Sequence, residues 1–477
     1  MKPLLIGGAW VDAPAAAPNI NPSDTRDIVD EYGQADAALA ADAVAAAAAA
    51  FPGWAQASIQ RRSEILDAAG SELVARAGEL GRLLAREEGK TLPEGVAEAT
   101  RAGQIFKFFA GEALRVYGDA QRSVRPGVEV AVTREPLGVT ALITPWNFPL
   151  AIPAWKTAAA LAYGNTVVLK PADLTPGCAW ALADILQRAG APPGVFNLVM
   201  GRGAVIGSAL VEDSRVEAVS FTGSTATGAR IGAACMARNA RVQLEMGGKN
   251  PLVVLDDADV ELAADCAVNG AFYSTGQRCT ASSRLIVTEG IHDRFVAAVA
   301  ARLERLVVGH ALEDGVQIGP VVDGRQLDQD CEYVEIGRKE GARLLMGGER
   351  LQRSTPGHYL SPALFVDVDN RMRIAREEIF GPVAAVIRVR DFEEALAVAN
   401  DTPFGLSAGI CTQSLKFATA FREQAKVGMV MVNLPTAGVD PHVPFGGRKA
   451  SSFGPREQGR HAAEFYTAVK TAYVFAG

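Results

Sequence analysis

The chain has 477 residues, of which 49% are hydrophobic and 21% charged, a balance that predicts two or three globular domains and excludes a disordered or collagen-like chain. Its net charge of −7 at pH 7, with no basic block, argues against binding to nucleic acid or an anionic membrane. Six scattered cysteines without a CxxC pair and five histidines without ligand spacing argue against a disulfide framework and a bound metal.

The N-terminal residues, MKPLLIGGAWVD, lack the apolar run and the small-residue cleavage site of a secretory signal peptide. The longest nearly apolar run, Ala43 to Phe51, is mostly alanine and about half as long as a membrane span requires. We therefore expect a cytoplasmic protein with reduced cysteines and no membrane partner.

The first quarter of the chain is predicted to be largely helical. An alanine-rich segment over 36–51 has high helix propensity, and charged amphipathic helices are expected over 59–88 and 92–114. From residue 128 short β-branched runs alternate with turns and helical stretches, and a similar alternation covers 342–434. This alternation predicts an α/β fold with parallel sheets, divided into two blocks near Met246. The predicted strands are 139–143, 166–169, 196–199, 218–221, 242–244, 252–255 and 284–287.

The predicted strand at 139–143 is followed by the segment 144–149, with the sequence TPWNFP. The side-chain amide of Asn147 can donate a hydrogen bond to an oxyanion. A rigid Pro-Trp turn without a chemical role is the alternative.

Two glycine-rich turns follow later strands. The segment 201–207, GRGAVIG, resembles the dinucleotide fingerprint G-x-G-x-x-G with one residue too many, so helix–strand packing is the alternative to phosphate binding. The segment 221–228 also follows a strand and begins a helix, whose N-terminal amides can bind an anion. Ser224 and Thr225 can cap that helix, and an ordinary capped turn is the alternative there.

Glu245 ends an apolar strand and is followed by Gly247 and Gly248. Burial at such a position raises the pKa of a carboxyl group, which suits a general base. A strand-end carboxylate that caps the next turn fits the pattern equally well.

Cys279 stands among small and polar residues, with Arg278 directly before it and Arg284 five residues later. We expect this positive charge to favour the thiolate, and Gly276 to leave room for a substrate. The other five cysteines lie in helix-like or strand-like contexts, where cysteine behaves as a small hydrophobe. Cys279 is therefore the candidate nucleophile.

Together these motifs resemble the aldehyde dehydrogenase superfamily, in the family's order from about residue 5 to 475. The interval from Glu245 to Cys279 also matches the family's interval between base and nucleophile. The shared segments are 144–149, 170–173, 221–228, 244–250, 276–279, 377–382, 403–406 and 444–447.

The resemblance implies an α/β fold with a Rossmann-like NAD(P)-binding domain over 1–116 and 137–246. An α/β catalytic domain would cover 247–446. Residues 117–136 and 447–477 would form an oligomerisation β-flap and the C-terminal tail. This flap is expected to join subunits into a homodimer or homotetramer.

The resemblance also implies roles in the oxidation of an aldehyde to a carboxylic acid. Cys279 would attack the aldehyde, giving a thiohemiacetal and then a thioester. Asn147 and the Cys279 backbone N–H would bind the oxyanion, and Glu245 would activate the hydrolytic water. Lys156 and Glu457 match positions that can relay the proton onward, and a surface salt bridge is the alternative.

The implied cofactor is NAD or NADP. An acidic residue at the adenosine ribose repels a 2′-phosphate and favours NAD, but Lys170 offsets Asp173, which leaves NADP open. Glu378 is expected to hold the nicotinamide ribose. The cofactor-binding residues implied by the resemblance are Ile143, Thr144, Pro145, Trp146, Lys170, Ala172, Asp173, Gly203, Gly207, Phe221, Gly223, Ser224, Gly247, Glu378 and Phe380.

Within the superfamily the chain most resembles the branch that oxidises α-ketoglutaric semialdehyde (2,5-dioxovalerate). Relatives acting on succinic semialdehyde commonly have an arginine where this chain has Trp155. We expect Arg278 to bind the carboxylate of an anionic aldehyde through its planar fork, with Phe148 and Trp155 beside the substrate. Succinic semialdehyde and glyceraldehyde 3-phosphate are the alternative substrates. The segments that carry this resemblance are 151–156, 274–284, 432–439, 451–452 and 456–459.

Two other classes of protein stay open. CoA-acylating reductases share the fold and the cysteine but generally lack the carboxylate seen at Glu245. A non-catalytic structural descendant is expected to have lost Cys279, Glu245 or Asn147, all of which are present.

Overall fold

The computed structural model describes residues 1–116 and 118–477, so residue 117, the first of the expected flap, lies outside the described residues. In chain order the strands are β1 (Leu4–Ile6), β2 (Ala9–Val11), β3 (Ala15–Ile20), β4 (Ile28–Gln34), β5 (Asp119–Arg122), β6 (Val128–Pro136), β7 (Val139–Ile143), β8 (Thr166–Lys170), β9 (Phe196–Leu198), β10 (Val216–Thr222), β11 (Arg241–Glu245), β12 (Pro251–Val254), β13 (Arg284–Thr288), β14 (Arg343–Met346), β15 (Ala363–Val366), β16 (Val383–Val389), β17 (Ser407–Cys411), β18 (Met429–Val432), β19 (Ser452–Phe453) and β20 (Thr467–Phe475).

The helices lie between these strands. They are α1 (Ala37–Ala55), α2 (Ile59–Ala75), α3 (Ala77–Glu87), α4 (Leu92–Ala113), α5 (Ala151–Ala162), α6 (Pro176–Arg188), α7 (Gly203–Glu212), α8 (Thr225–Ala237), α9 (Val260–Phe272), α10 (Glu289–Leu303), α11 (Gly324–Lys339), α12 (Arg373–Arg376), α13 (Phe392–Asn400), α14 (Leu415–Gln424) and α15 (Ala463–Tyr466).

The strands predicted between 139 and 287 are present as β7 to β13, with ends within two residues of the predicted ones. The single helix predicted over 59–88 is wrong, because the chain forms two helices, α2 and α3, that meet at Arg76. There φ is −97° and ψ is 14°, which is not helical. Helical periodicity continues through such a change of direction, so the pattern alone does not reveal it.

The first sheet has the order β19-β11-β10-β7-β8-β9-β1-β2, and β7 to β11 run parallel to one another. From β7 the chain adds β8 and β9 on one side and then crosses to add β10 and β11 on the other. Ile143 and Phe221 are paired where β7 and β10 end. Such a reversal of strand order opens a crevice at the carboxyl ends of the strands, where α/β proteins bind ligands.

The second sheet has the order β14-β15-β16-β13-β12-β17-β18, with the pair β14–β15 antiparallel and the other pairs parallel. Along β12, Leu252 and Val254 belong to one buried cluster, and Val253 belongs to another. Because alternate residues of a strand point to opposite faces, this sheet is buried on both faces. The short segment between β11 and β12 connects the first sheet to the second.

A third, antiparallel sheet has the order β20-β6-β5, with Thr467 opposite Pro136 and Phe475 opposite Val128. It joins the C-terminal strand to the segment expected to form the flap. The short strand β19, which lies in the expected tail, pairs instead with β11 of the first sheet. The domain limits given above stay predictions.

Among the described residues, α1 is long and apolar enough to cross a membrane by length and composition alone. This is weak evidence, because the core helix of a folded domain passes the same test. One side of α1, with Ala40, Ala43, Val44 and Ala47, is buried in the core formed around the first sheet.

Candidate active site

A cavity of about 660 Å³, here called the cofactor cavity, lies where β7, β8 and β10 end. Most residues predicted to bind the cofactor line it, whereas Gly247, Glu378 and Phe380 do not. The ring of Phe380 nevertheless lies edge-on to Trp146, which is in the wall, at 5.2 Å between centroids. The predicted residues in the wall are Ile143, Thr144, Pro145, Trp146, Lys170, Ala172, Asp173, Gly203, Gly207, Phe221, Gly223 and Ser224.

The cofactor cavity offers polar groups that fit a dinucleotide. The side-chain oxygens of Thr144 and Thr222 are buried there without a hydrogen-bond partner. Helix α7 begins at Gly203 with no side-chain cap, and α8 begins beside Ser224, so two helix N-termini face this region. Helix N-termini bind phosphate groups through free backbone N–H groups and the helix dipole.

At one side of the cofactor cavity, Lys170 Nζ forms an ion pair with Asp173 Oδ1 at 2.5 Å. The lysine is buried, and the aspartate side chain is 42% exposed. The other oxygen, Asp173 Oδ2, accepts a long hydrogen bond of 3.4 Å from Gly203 N. Asp173 is thus the more accessible charge of the pair.

Glu378 is held against the turn after β11. Its Oε1 accepts a hydrogen bond of 2.7 Å from Gly248 N, and burial raises the pKa of its carboxyl group to about 7. A Cβ at position 247 would lie 2.0 Å from Glu378 Oε2, so Gly247 is needed for this close approach. Glu378 and Phe380 line a small cavity together with Gly248, Gly276 and Arg278.

A second cavity, of about 430 Å³ and here called the catalytic cavity, contains Cys279 in its wall. The predicted substrate residues Phe148, Trp155 and Arg278 line it as well. Several charged and polar residues of the wall were not predicted as site residues. Glu94, Glu98 and Arg101 lie on the amphipathic helix α4, where they resemble ordinary surface residues. The others are Lys90, Asn269 and Gln458, of which only Gln458 lies in a segment that carried the resemblance.

Cys279 lies in a loop with unusual backbone geometry. Ser274, Thr275 and Gly276 have φ values of 51°, 56° and 66°, in the left-handed region that residues other than glycine rarely adopt. A Cβ at position 276 would lie 2.2 Å from Gly381 O, so only glycine fits there. Such over-determined backbone is typical of functional sites.

The expectation that flanking arginines favour the Cys279 thiolate is wrong. Burial, followed by the carboxylates of Glu378 and Glu245, raises the pKa of the thiol to about 12. Arg278 is engaged elsewhere, with Nη2 donating to Ser274 Oγ at 2.9 Å and to Glu94 Oε1 at 3.3 Å. The guanidinium of Arg284 is buried and donates to the carbonyl oxygens of Lys249, Val398 and Ala399.

Asn147 is held at both ends. Its side-chain Nδ2 donates to the backbone oxygen of Gln277, two residues before Cys279, at 2.9 Å. The backbone carbonyl oxygen of Asn147 accepts from Lys90 Nζ at 2.8 Å. An amide nitrogen carries two hydrogens, so one remains for another acceptor. Asn147 is buried and contacts the nucleophile loop, although it is not part of the catalytic cavity's wall.

Glu245 lies at the end of β11, is 2% exposed and stands outside the wall of the catalytic cavity. Its Oε2 accepts a hydrogen bond of 2.6 Å from Ser452 Oγ on β19. Burial, and then the Glu457 carboxylate, hold the pKa of Glu245 well above its usual range. A raised pKa makes a carboxylate a stronger base, as expected for Glu245.

Lys156 and Glu457 form an ion pair that is buried on both sides, so the alternative of a surface salt bridge is wrong. Lys156 Nζ also donates to Ser220 Oγ at 2.7 Å. Trp155 Nε1 donates to the second oxygen of Glu457 at 2.7 Å. The pair is therefore connected to the wall of the catalytic cavity through Trp155.

The arrangement combines a cysteine nucleophile, a buried carboxyl group and a crevice suited to a dinucleotide. The aldehyde dehydrogenase family model matches residues 10–472. The chain belongs to the aldehyde dehydrogenase family. The prediction of an NAD(P)-dependent oxidoreductase of this family is thereby confirmed, and the residue roles stay predictions.

Curated relatives match nearly the whole chain. An α-ketoglutaric semialdehyde dehydrogenase of Bacillus subtilis is 45% identical over 473 residues, which are 98% of this chain and 97% of the relative. A 2,5-dioxopentanoate dehydrogenase of Saccharolobus solfataricus is 41% identical and covers 95% of each chain. A betaine aldehyde dehydrogenase of Cereibacter sphaeroides is 43% identical over 98% of this chain and 95% of its own.

Solved structures confirm the predicted α/β fold. A betaine aldehyde dehydrogenase from Staphylococcus aureus in complex with NAD⁺ superposes with a TM-score of 0.97 at 32% identity, covering 100% of this chain and 95% of that one. An NADP-dependent enzyme from E. coli gives 0.96 at 36% identity, covering 99% and 98%.

Proposed function

We propose that this chain oxidises α-ketoglutaric semialdehyde to 2-oxoglutarate with NAD. The observation that supports this substrate is the charge of the catalytic cavity. Its wall contains three cations, Lys90, Arg101 and Arg278, and two carboxylates, Glu94 and Glu98. An excess of positive charge suits an aldehyde that bears a carboxylate and opposes a quaternary ammonium aldehyde such as betaine aldehyde. Relatives 41–45% identical are named for the same substrate.

The reaction begins at Cys279. Its thiol must lose a proton before the sulfur attacks the aldehyde carbon, because the thiolate is the nucleophile. Glu245 is the nearby base, since its raised pKa gives it the proton affinity to accept that proton. The oxyanion formed by the attack accepts hydrogen bonds from Asn147 Nδ2 and from the Cys279 backbone N–H, and each such donor lowers the barrier by about 3–4 kcal/mol.

NAD held in the cofactor cavity would supply the acceptor for the hydride that leaves the carbon attached to Cys279. Loss of this hydride leaves a thioester on Cys279. Glu245 then takes a proton from the water that attacks the acyl carbon of this thioester. The Cys279 thiolate departs and the acid is released. Lys156 and Glu457, a buried pair beside Glu245, pass the proton on.

NAD is favoured over NADP because Asp173 is the exposed member of its ion pair with Lys170. A 2′-phosphate placed there would meet the Asp173 carboxylate, while the partner cation is already neutralised. Glu212 lines the same cavity and adds to the negative charge.

We also propose that the protein assembles as a homodimer or homotetramer through the sheet β20-β6-β5. Large apolar side chains of β20 are exposed on it, including Val469 and Tyr473 at 60% and Phe475 at 67%. Exposed apolar patches of this kind mark interaction surfaces.

The six cysteines are free, which fits a reducing compartment such as the cytoplasm.

A substrate panel tests the proposed function. We expect kcat/KM for 2,5-dioxovalerate with NAD to exceed that for succinic semialdehyde, glyceraldehyde 3-phosphate, betaine aldehyde and propanal, and to exceed that with NADP. A higher kcat/KM for betaine aldehyde would contradict the charge argument. A requirement for CoA would place the chain among the acylating reductases instead.

A further inference from the structure

The three cations of the catalytic cavity differ in whether a carboxylate already neutralises them. Lys90 Nζ lies 2.5 Å from Glu98 and 3.7 Å from Glu88. Arg278 lies 3.3 Å from Glu94 and also donates to Ser274. Both are therefore compensated before any substrate binds.

Arg101 forms no ion pair among the described residues, and the carboxylates of Glu98 and Asp440 act on it only from a longer distance. Within the part of the chain that the structure describes, no carboxylate lies within ion-pair distance of it, and its one hydrogen bond is a long one, from Nη2 to Gln458 Oε1 at 3.3 Å. Its Nε is buried without a partner. Arg101 is partly buried, and a buried donor without a partner costs free energy unless an acceptor completes its hydrogen bond.

Gln458 supplies a second unused donor at the same place. Its side chain is buried, and its Nε2 has no hydrogen-bond partner. Its backbone has a φ of 58°, in the left-handed region that only the surrounding structure can enforce on a residue with a side chain. Arg101 and Gln458 both line the catalytic cavity with Cys279.

We infer that Arg101 and Gln458 form the carboxylate-binding site for the substrate and that Arg101, rather than Arg278, selects anionic aldehydes. The unused donor atoms, Arg101 Nε and Gln458 Nε2, match the acceptors of a 2-oxo carboxylate, which offers two carboxylate oxygens and a ketone oxygen. The arginine fork gives the charge and geometry for the carboxylate, and Gln458 adds a neutral donor. This inference rests on the proposed function.

Three variants test the assignment. Arg101→Met removes the charge at nearly constant length, and Gln458→Glu gives Arg101 a carboxylate partner without changing the shape of the side chain. We expect each to lower kcat/KM for 2,5-dioxovalerate at least tenfold more than kcat/KM for propanal, mainly through KM. Arg101→Lys, which keeps the charge but loses the fork, should fall between Arg101→Met and the unmodified chain. Arg115→Met, on the surface beyond the end of α4, is the matched arginine control and should behave like the unmodified chain.

Inhibition by glutarate, a dicarboxylate that cannot be oxidised, gives a readout that does not depend on the natural aldehyde. The inhibition constant should rise at least tenfold in Arg101→Met and in Gln458→Glu. The inference is overturned if these variants affect propanal and 2,5-dioxovalerate equally, or if Arg278→Met alone shows the selective loss. If the unmodified chain prefers an anionic aldehyde other than 2,5-dioxovalerate, the proposed substrate fails while a selective effect of Arg101→Met on that aldehyde still supports the site.

Discussion

Trp155 donates its indole N–H to Glu457 at 2.7 Å, which joins the wall of the catalytic cavity to the buried Lys156–Glu457 pair. The same indole ring packs against Phe445 at 5.6 Å between centroids. The residue beside the substrate therefore also fixes the orientation of a carboxylate in the proposed proton path. Trp155 is a positioning residue for Glu457 as well as a wall of the cavity.

We expect Trp155→Phe to lower kcat by about tenfold or more, because a hydrogen bond to a charged group contributes about 1.5–3 kcal/mol and phenylalanine keeps the ring without the donor. The pH profile of kcat should shift, because the Glu457 carboxylate that Trp155 positions is one cause of the raised pKa of Glu245. Steady-state rates between pH 6 and 10 measure the effect. A variant with reduced kcat and an unshifted profile would show a purely structural role. Trp180→Phe is the control, because Trp180 lines neither cavity.

We expect the raised pKa of Cys279 to make the free enzyme react slowly with iodoacetamide at neutral pH. Because the thiolate is the reactive form, the alkylation rate should rise about tenfold per pH unit up to the thiol pKa of about 12. Glu378, with a pKa of about 7, is charged at pH 9 and opposes thiolate formation. Glu378→Gln should therefore speed alkylation at pH 9 by about threefold or more.

The measurement uses a Cys331→Ala background, since Cys331 is partly exposed too. Mass spectrometry of the Cys279 peptide reports the rate. A slower or unchanged rate in Glu378→Gln would mean that this carboxylate does not control the thiol.

Asp173→Asn should move cofactor preference towards NADP. The change removes a charge that opposes the 2′-phosphate and frees Lys170 to meet it, so the ratio of kcat/KM for NADP to that for NAD should rise about tenfold or more. Glu212→Gln, in the same cavity, is the matched control for general loss of negative charge. If Asp173→Asn and Glu212→Gln raise the ratio of kcat/KM for NADP to that for NAD equally, Asp173 has no special role in the choice of cofactor.

Local patterns predicted the strands and the nucleophile loop because their signals lie within a few residues. β-branched runs bounded by turns identified β7 to β13, and Cys279 differed from the other thiols by its polar neighbours. The thiol pKa was predicted in the wrong direction. The sequence shows the flanking arginines, whereas burial, and after it the carboxylates of Glu378 and Glu245, raise the pKa of the thiol in the folded chain.

Long-range pairing was equally hidden. Arg101 and Gln458 are 357 residues apart in the chain, and neither was predicted as a site residue. On α4 an arginine looks like any solvated charge, and the segment 456–459 carried the family resemblance without assigning a role to Gln458. Ser452, which donates to Glu245 Oε2, reaches it only because β19 pairs with β11. Such partners become visible when the sheet brings distant segments together.

In the proposed mechanism, a thioester on Cys279 is hydrolysed by water that Glu245 activates. Glu245→Gln keeps the shape of the side chain but removes the base of both steps. Attack by Cys279 should therefore become slower, but hydrolysis of the thioester loses the same base, so the acyl-enzyme should accumulate during prolonged mixing. Cys331→Ala is the matched cysteine control and should turn over normally.

The most direct measurement is mass spectrometry of Glu245→Gln after mixing with 2,5-dioxovalerate and NAD. The mechanism predicts about one acyl group per chain, on the Cys279 peptide, with no adduct in Cys279→Ala. Continued turnover without an adduct, or an adduct on another cysteine, would contradict it.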